Sequence, residues 1–254
     1  MIKSALITGA ANGLGHAMAH HLSRLGFHLV AIDVDHAALI QLRMEIPSVT
    51  CICIDLCCST TVEKELDALS EHHFSLVVQA AAISATGKFE DIPADRMSAI
   101  IETNLYAPLM LTRLLLHKKL LVPKASLIFI SSLSKYTAYP GGSVYAGTKE
   151  GLAQFANGLG THSHDLNVTC VFPGPMDTAH ASRYAPDNDT ATVARRMNCH
   201  DVAVEILEAS RKHRRVCVPG RANRLFAALA RLMPGFVGHL LTKRLFLKMD
   251  RVRI

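Results

Sequence analysis

Tyr145 and Lys149, in the stretch SVYAGTKEG, place a phenol and an ammonium four residues apart. On a helix this spacing stacks the two groups on one face, where the ammonium favours the phenolate and lowers a phenol pKa that is otherwise near ~10. Such a pair can carry a proton to or from a substrate oxygen, or it can be a solvated helix face. A second cluster lies near the start of the chain. Gly9, Gly13 and Gly15 in TGAANGLG, with Asn12 and Leu14 among them, fall where the apolar run Ala5-Leu6-Ile7 gives way to a periodic helix from Leu14 to Leu25. There the backbone must turn tightly and approach a ligand closely, and the N–H groups that open a helix attract a pyrophosphate. Asp33 ends a second run, HLVAID, 18 residues after Gly15. Its carboxylate is placed to accept hydrogen bonds from the adenosine ribose, or else to cap the helix that follows. Neither Asn12 nor Val34 is a cation that could neutralise a 2′-phosphate, so the expected cofactor is NAD rather than NADP.

The elements that must hold these groups alternate along the chain. A helix over about 35–45 is followed by CICID, ending at Asp55, a helix over 60–72, SLVVQAA, a long apolar helix over 98–117 and ASLIFISS. The SVYAGTKEG helix, NVTCVFPG and RRVCVPG near 215–219 complete the series. Strands alternating with helices at βαβ spacing, the strands reading as continuous apolar runs, predict an α/β fold: a doubly wound, mainly parallel seven-stranded Rossmann-type sheet. We expect a single domain over 1–220, followed by a C-terminal amphipathic helical extension over 221–254. Half of the 254 residues are apolar and 19% are charged, a composition that folds throughout. Seven cysteines without a preceding secretory leader imply a reduced, cytoplasmic setting. Cys51 and Cys53 alternate with Ile52 and Ile54, predicting a buried strand that uses Cys as a small hydrophobe rather than a thiolate metal site. The 14 histidines include no HExxH and are expected at the surface or at helix ends, so no metal is expected.

Taken together, the motifs resemble those of the short-chain dehydrogenase/reductase family over nearly all of residues 1–220. TGAANGLG is similar to the family's T-G-x-x-x-G-x-G turn. Asp55 and Leu56 match the acidic position at the adenine and its neighbour, and Asn104 in ETNLYAP matches the catalytic Asn of the central helix. Ser132 closes the fifth strand, Tyr145 follows 13 residues later, and PGPMDT matches the loop around the nicotinamide, implicating Pro173, Gly174 and Thr178. The resemblance implies that Tyr145 exchanges a proton with the substrate oxygen while Lys149 lowers its pKa and bonds the nicotinamide ribose. Ser132 then donates to the substrate oxygen, and Asn104 holds a water linking Lys149 to solvent. One motif departs: where the family has N-N-A-G, this chain has Gln79-Ala80-Ala81-Ala82, so Ala81 and Ala82 stand against the adenosine ribose and Gln79 needs other partners. The implied activity interconverts a secondary alcohol and a carbonyl. A non-catalytic dinucleotide-binding regulator is the alternative.

The segment between Thr178 and Asp201 is expected to be a substrate lid, in which Arg183, Tyr184, Arg195 and Arg196 either meet an acidic group or are solvated surface. Beyond it, residues 211–254 hold 12 Lys/Arg against the single Asp250, a balance of +11 that leaves −5 for residues 1–210. Leu225, Leu229, Leu232, Phe236 and Leu240 recur at helical spacing among Arg221, Arg224, Arg231, Lys243 and Arg244, with a break at Pro234-Gly235. Such helices lie on an anionic membrane surface, or fold back on the domain or a second subunit with the apolar face buried. The phenylalanines there suit burial better than base stacking, so nucleic acid is not an expected partner. The helices at about 98–117 and 145–160 predict a homodimer or homotetramer.

Overall fold

The computed structural model describes residues 3–136, 141–163, 165–184, 196–244 and 252–254. Seven strands form one sheet: β1 (Ser4–Thr8), β2 (His28–Asp33), β3 (Thr50–Cys53), β4 (Phe74–Gln79), β5 (Leu121–Ile130), β6 (Leu166–Val171) and β7 (Val216–Cys217). Their order is β3-β2-β1-β4-β5-β6-β7, and every neighbouring pair is parallel. The order reverses between β1 and β4, which opens a crevice at the C-terminal ends of those two strands.

The apolar strand runs follow from burial on both faces. Along β1, Ala5 and Ile7 join one core with Leu14, Met18 and Leu22 of helix α1 (Gly13–Arg24), Leu39 and Leu42 of α2 (His36–Glu45), and Val202 and Ile206 of α8 (Cys199–Arg211). Leu6, between them, points the other way into a core with Leu66 of α3 (Ser59–Ala68), Leu111 and Leu115 of α5 (Ala107–His117) and Leu152 of α6 (Ser143–His162). Side chains alternate across a strand, so a strand covered on both faces must be apolar at every position.

The expected helix over 98–117 is interrupted. It comprises α4 (Ala94–Ile101), a π-helical turn over Glu102–Tyr106, and α5. Pro108 has no N–H to donate to the carbonyl of Asn104, four residues back, so the regular α-helical ladder cannot pass through this point. The expected buried strand at CICID is the sheet edge instead. β3 has one neighbour, so Ile52 is buried while Cys51 is half-buried and Cys53 exposed. The thiols of Cys51 and Cys53 reach the carbonyls of Leu39 and Val34 at 3.5 and 3.6 Å.

After β6 the chain forms α7 (Ala179–Tyr184), and after β7 it forms α9 (Arg221–Leu232) and α10 (Pro234–Arg244). The last two helices lie against the domain by their small side: Ala227, Ala230 and Val237 are buried. The large apolar stripe faces away, with Leu225 74%, Leu232 80% and Phe236 59% exposed. Burial of that stripe on the chain's own domain is therefore overturned. Farther on, Arg253 pairs antiparallel with Thr86 through hydrogen bonds of 3.0 and 2.8 Å.

Candidate active site

The glycine-rich turn leaves β1 at the crevice. Gly9 and Gly13 hold φ of +65° and +55°, a left-handed region that costs other residues strain. A Cβ on Gly9 would lie 2.7 Å from the Ala81 nitrogen, one on Gly13 would lie 3.1 Å from Thr178 Cγ2, and one on Gly15 would run into the Gly9 carbonyl. The turn can pack this closely against Ala81, Thr178 and its own backbone because these Cβ atoms are absent, and it leads into the start of α1, where helix N–H groups attract phosphate. Asn12 is exposed with its Nδ2 3.4 Å from Asp35 Oδ2, whereas the Leu14 side chain belongs to the core. Leu14 can therefore meet a ligand only through its backbone.

Asp33 does not cap α2. Asp35 does, its Oδ1 accepting from the Ala38 N–H at 3.0 Å. Asp33 instead accepts from Ala11 N–H at 3.0 Å and Asp35 N–H at 3.1 Å, which fixes its carboxylate between the glycine turn and the end of β2. Asp55 is exposed, its Oδ1 accepting from Cys57 N–H at 2.9 Å, and Leu56 packs partly buried against the core. Ala81 N–H reaches Thr8 Oγ1 at 3.4 Å, and Ala82 is half-buried just beyond it. The displaced Gln79 has found partners: its Nε2 donates to Pro108 O at 3.1 Å and to Thr112 Oγ1 at 2.8 Å.

On the other side of the crevice, Lys149 is 1% exposed and its Nζ donates to Ile130 O at 2.8 Å. The ammonium stands 5.7 Å from the centroid of the half-buried Tyr145 ring. Burial pulls the Lys149 pKa down from 10.5 to about 8. Ser132 Oγ accepts from Ser134 N–H at 3.1 Å. Asn104, wholly buried in the π turn, clamps the backbone of Ile83: Oδ1 accepts from Ile83 N–H at 2.9 Å and Nδ2 donates to Ile83 O at 2.8 Å. Its second amide hydrogen goes to Thr148 Oγ1 at 3.2 Å, and Thr148 donates to Tyr145 O at 2.7 Å. Sequence reading missed Thr148 and Ile83, although Thr148 sits beside Lys149 in the motif.

Pro173 O accepts from Leu133 N–H at 3.1 Å, tying the PGPMDT loop to the residue after Ser132. Gly174 lies against Asn223 of α9, where a Cβ would be 2.5 Å from its Oδ1. Thr178 Oγ1 accepts from Ala181 N–H at 3.0 Å at the start of α7. In the lid, Tyr184 is buried rather than solvated: its hydroxyl accepts from Arg96 at 2.8 Å and its carbonyl accepts from Thr86 Oγ1 at 3.2 Å. Arg196 donates to Ser182 Oγ at 2.7 Å and Arg183 is exposed, while Arg195 lies outside the described residues.

A doubly wound sheet with a glycine turn at its switch point and a Tyr–Lys pair across the crevice is an arrangement able to hold a dinucleotide beside an acid–base group. The short chain dehydrogenase family model matches residues 3–189, and the chain belongs to that family. It is 30% identical over 176 residues to an uncharacterised short-chain type dehydrogenase/reductase of Sinorhizobium fredii, covering 68% of this chain and 70% of that one. It is 28% identical over 262 residues to dehydrogenase/reductase SDR family member 7B of Bos taurus, covering 94% and 80%. In fold it is similar to a short chain dehydrogenase/reductase from Burkholderia phymatum solved in complex with NAD, at a TM-score of 0.80 and 19% identity over 92% of this chain and 95% of that one. The protein is thus an NAD(P)-dependent oxidoreductase acting on alcohol or carbonyl groups.

Proposed function

We propose that this chain interconverts a secondary alcohol and a carbonyl using NAD, with Tyr145 as the proton carrier. One observation carries the reading: Lys149 is a buried ammonium 5.7 Å from the Tyr145 ring, bonded to the Ile130 carbonyl, with no carboxylate paired to it among the described residues. An uncompensated buried charge destabilises a fold, and such groups mark functional sites. A nicotinamide bound beside this pair would supply the hydride chemistry at the substrate carbon. Tyr145 gives its phenolic proton to the substrate oxygen during reduction and takes it back during oxidation. Lys149 stabilises the phenolate that remains. Ser132, whose oxygen already accepts from Ser134, turns its O–H to the substrate oxygen and steadies the developing charge. Asn104 acts first as a positioning residue, since all its amide hydrogens are engaged. Its main-chain carbonyl, which Pro108 cannot serve, is the group that would hold the relay water.

The preference for NAD rests on Asp33, held by Ala11 and Asp35 without a cation at Asn12 or Val34. Gly9, Asn12, Gly13, Leu14 and Gly15 would hold the pyrophosphate, Asp55, Leu56, Ala81 and Ala82 the adenosine, and Pro173, Gly174 and Thr178 the nicotinamide end. Initial rates with NAD and NADP across a panel of secondary alcohols and ketones test both points. NAD-linked turnover is expected. Cofactor binding with no turnover on any of the panel would favour the non-catalytic alternative.

Residues 221–254 form a separate functional unit that rests on an anionic membrane surface. The supporting observation is the outward stripe of Leu225, Leu229, Leu232, Phe236 and Leu240 beside Arg221, Arg224 and Lys243. No helix among the described residues is long and apolar enough to cross a membrane, so contact is at the surface. A lipophilic substrate would suit that placement. Anionic liposomes should sediment the full chain and leave a form lacking 221–254 in the supernatant; equal partitioning would remove this reading. Exposed Ile101, Tyr106 and Leu116 on the central helix support a homodimer or homotetramer, which sedimentation equilibrium would count.

A further inference from the structure

Away from the crevice, ligand-type side chains converge where the first two helices meet. His16 and His20 are four residues apart on α1, so both imidazoles project from one face. Glu45 ends α2. Nε2 of His16 and Nε2 of His20 each stand 2.8 Å from the same oxygen, Oε2 of Glu45. The three donor atoms all lie within 4.8 Å of one another. Gln41 donates to the other carboxylate oxygen at 2.9 Å, which fixes the orientation of Oε2 toward the imidazoles. That hydrogen bond, followed by those from the histidines, holds the Glu45 carboxyl down to about 2, so it is ionised at neutral pH. The side chains are 30%, 25% and 31% exposed, which leaves the cluster open to ions from solvent.

Two imidazole nitrogens and a carboxylate oxygen make the N2O donor set of a borderline divalent ion, with a water as fourth ligand. Metal–ligand bonds of about 2.0–2.2 Å put tetrahedral donors roughly 3.3 Å apart, so each of the two N···O spacings of 2.8 Å need open by only about half an ångström. We propose that His16, His20 and Glu45 form a binding site for a divalent transition-metal ion of the Zn2+ type, which clamps α1 to the end of α2. The helix so clamped begins in the glycine turn, at Gly13. This site does not depend on the oxidoreductase reading. The spacing of His16 and His20 is visible along the chain, but Glu45 lies 25 residues beyond His20 and only the fold brings it across.

The test is titration of the full-length, reduced chain with Zn2+ alone by isothermal calorimetry, followed by Co2+ as a spectroscopic probe. One equivalent is expected to bind, binding should be lost in His16→Ala and His20→Ala, and Glu45→Gln should weaken it at least about tenfold. His16→Asn, which keeps a polar group facing Glu45, guards against loss of folding as the cause, with the melting temperature as control. Co2+ should give d–d bands without thiolate charge transfer. Unchanged binding in the variants would overturn the site, as would a thiolate band, which would move the ion to exposed cysteines such as Cys53 and Cys58.

Discussion

The two walls of the crevice are built on opposite principles. The wall after β1 is shaped by missing atoms: Gly9, Gly13 and Gly15 pack against Ala81, Thr178 and the Gly9 carbonyl more closely than a Cβ would allow. The wall formed by α6 and the π turn is shaped by added ones. Asn104 and Lys149 are buried polar groups whose hydrogen bonds to Ile83, Thr148 and Ile130 fix the helix that carries Tyr145. The first wall should therefore fail when atoms are added, and the second when atoms are removed.

Lys149→Met is expected to have the largest effect and to split activity from stability. Turnover should fall by about 10²–10⁴-fold, the range of a lost acid–base contribution. Stability of the cofactor-free protein should rise. The shift from 10.5 to about 8 corresponds to a charge-burial cost of about 3 kcal/mol, and leaving Ile130 O unpaired returns about 1 kcal/mol, for a net gain of about 2 kcal/mol at pH 7. The sign with pH follows from the depressed value. Between about 8 and 10.5 the unfolded chain holds a proton on Lys149 that the folded chain has released, so wild-type stability from this group rises with pH across that window. The advantage of the Met variant should be full below pH 8 and shrink above it. Urea denaturation at pH 7 and pH 10 measures this.

Gly15→Ala tests the other wall. Its methyl meets the Gly9 carbonyl, a backbone atom that cannot step aside. Overpacking should cost about 1–3 kcal/mol and abolish measurable NAD binding by calorimetry. A variant that bound NAD normally would break the contrast between the walls. A smaller effect is expected for Gln79→Ala. It removes two hydrogen bonds, but Thr112 still donates to Pro108 O at 2.7 Å. Thermal unfolding should show a loss of about 1–2 kcal/mol, with turnover nearly unchanged.

What the sequence disclosed also divides along this line. The alternation of apolar runs and helices made the seven strands readable, and the glycines and the Tyr145–Lys149 spacing marked both walls. The Asn104 clamp was not legible, because it depends on the register between β4, the π turn and α6, which no local pattern encodes. Pro108, directly visible, was the one sign that the central helix would be interrupted. The half-buried Cys51 and exposed Cys53 were misjudged because an edge strand and a central strand share the same short apolar run. In the tail, periodicity identified an apolar stripe but could not say that Ala227 and Ala230 would face the domain and Leu225 and Leu232 the solvent.

The central claim is that Tyr145 carries the proton while the glycine wall holds the dinucleotide. Tyr145→Phe removes one oxygen and leaves both walls otherwise intact. Measured side by side with the wild type, it should bind NAD with unchanged affinity and lose about 10²–10⁴-fold in turnover on every accepted alcohol or ketone. Turnover close to that of the wild type would contradict the account.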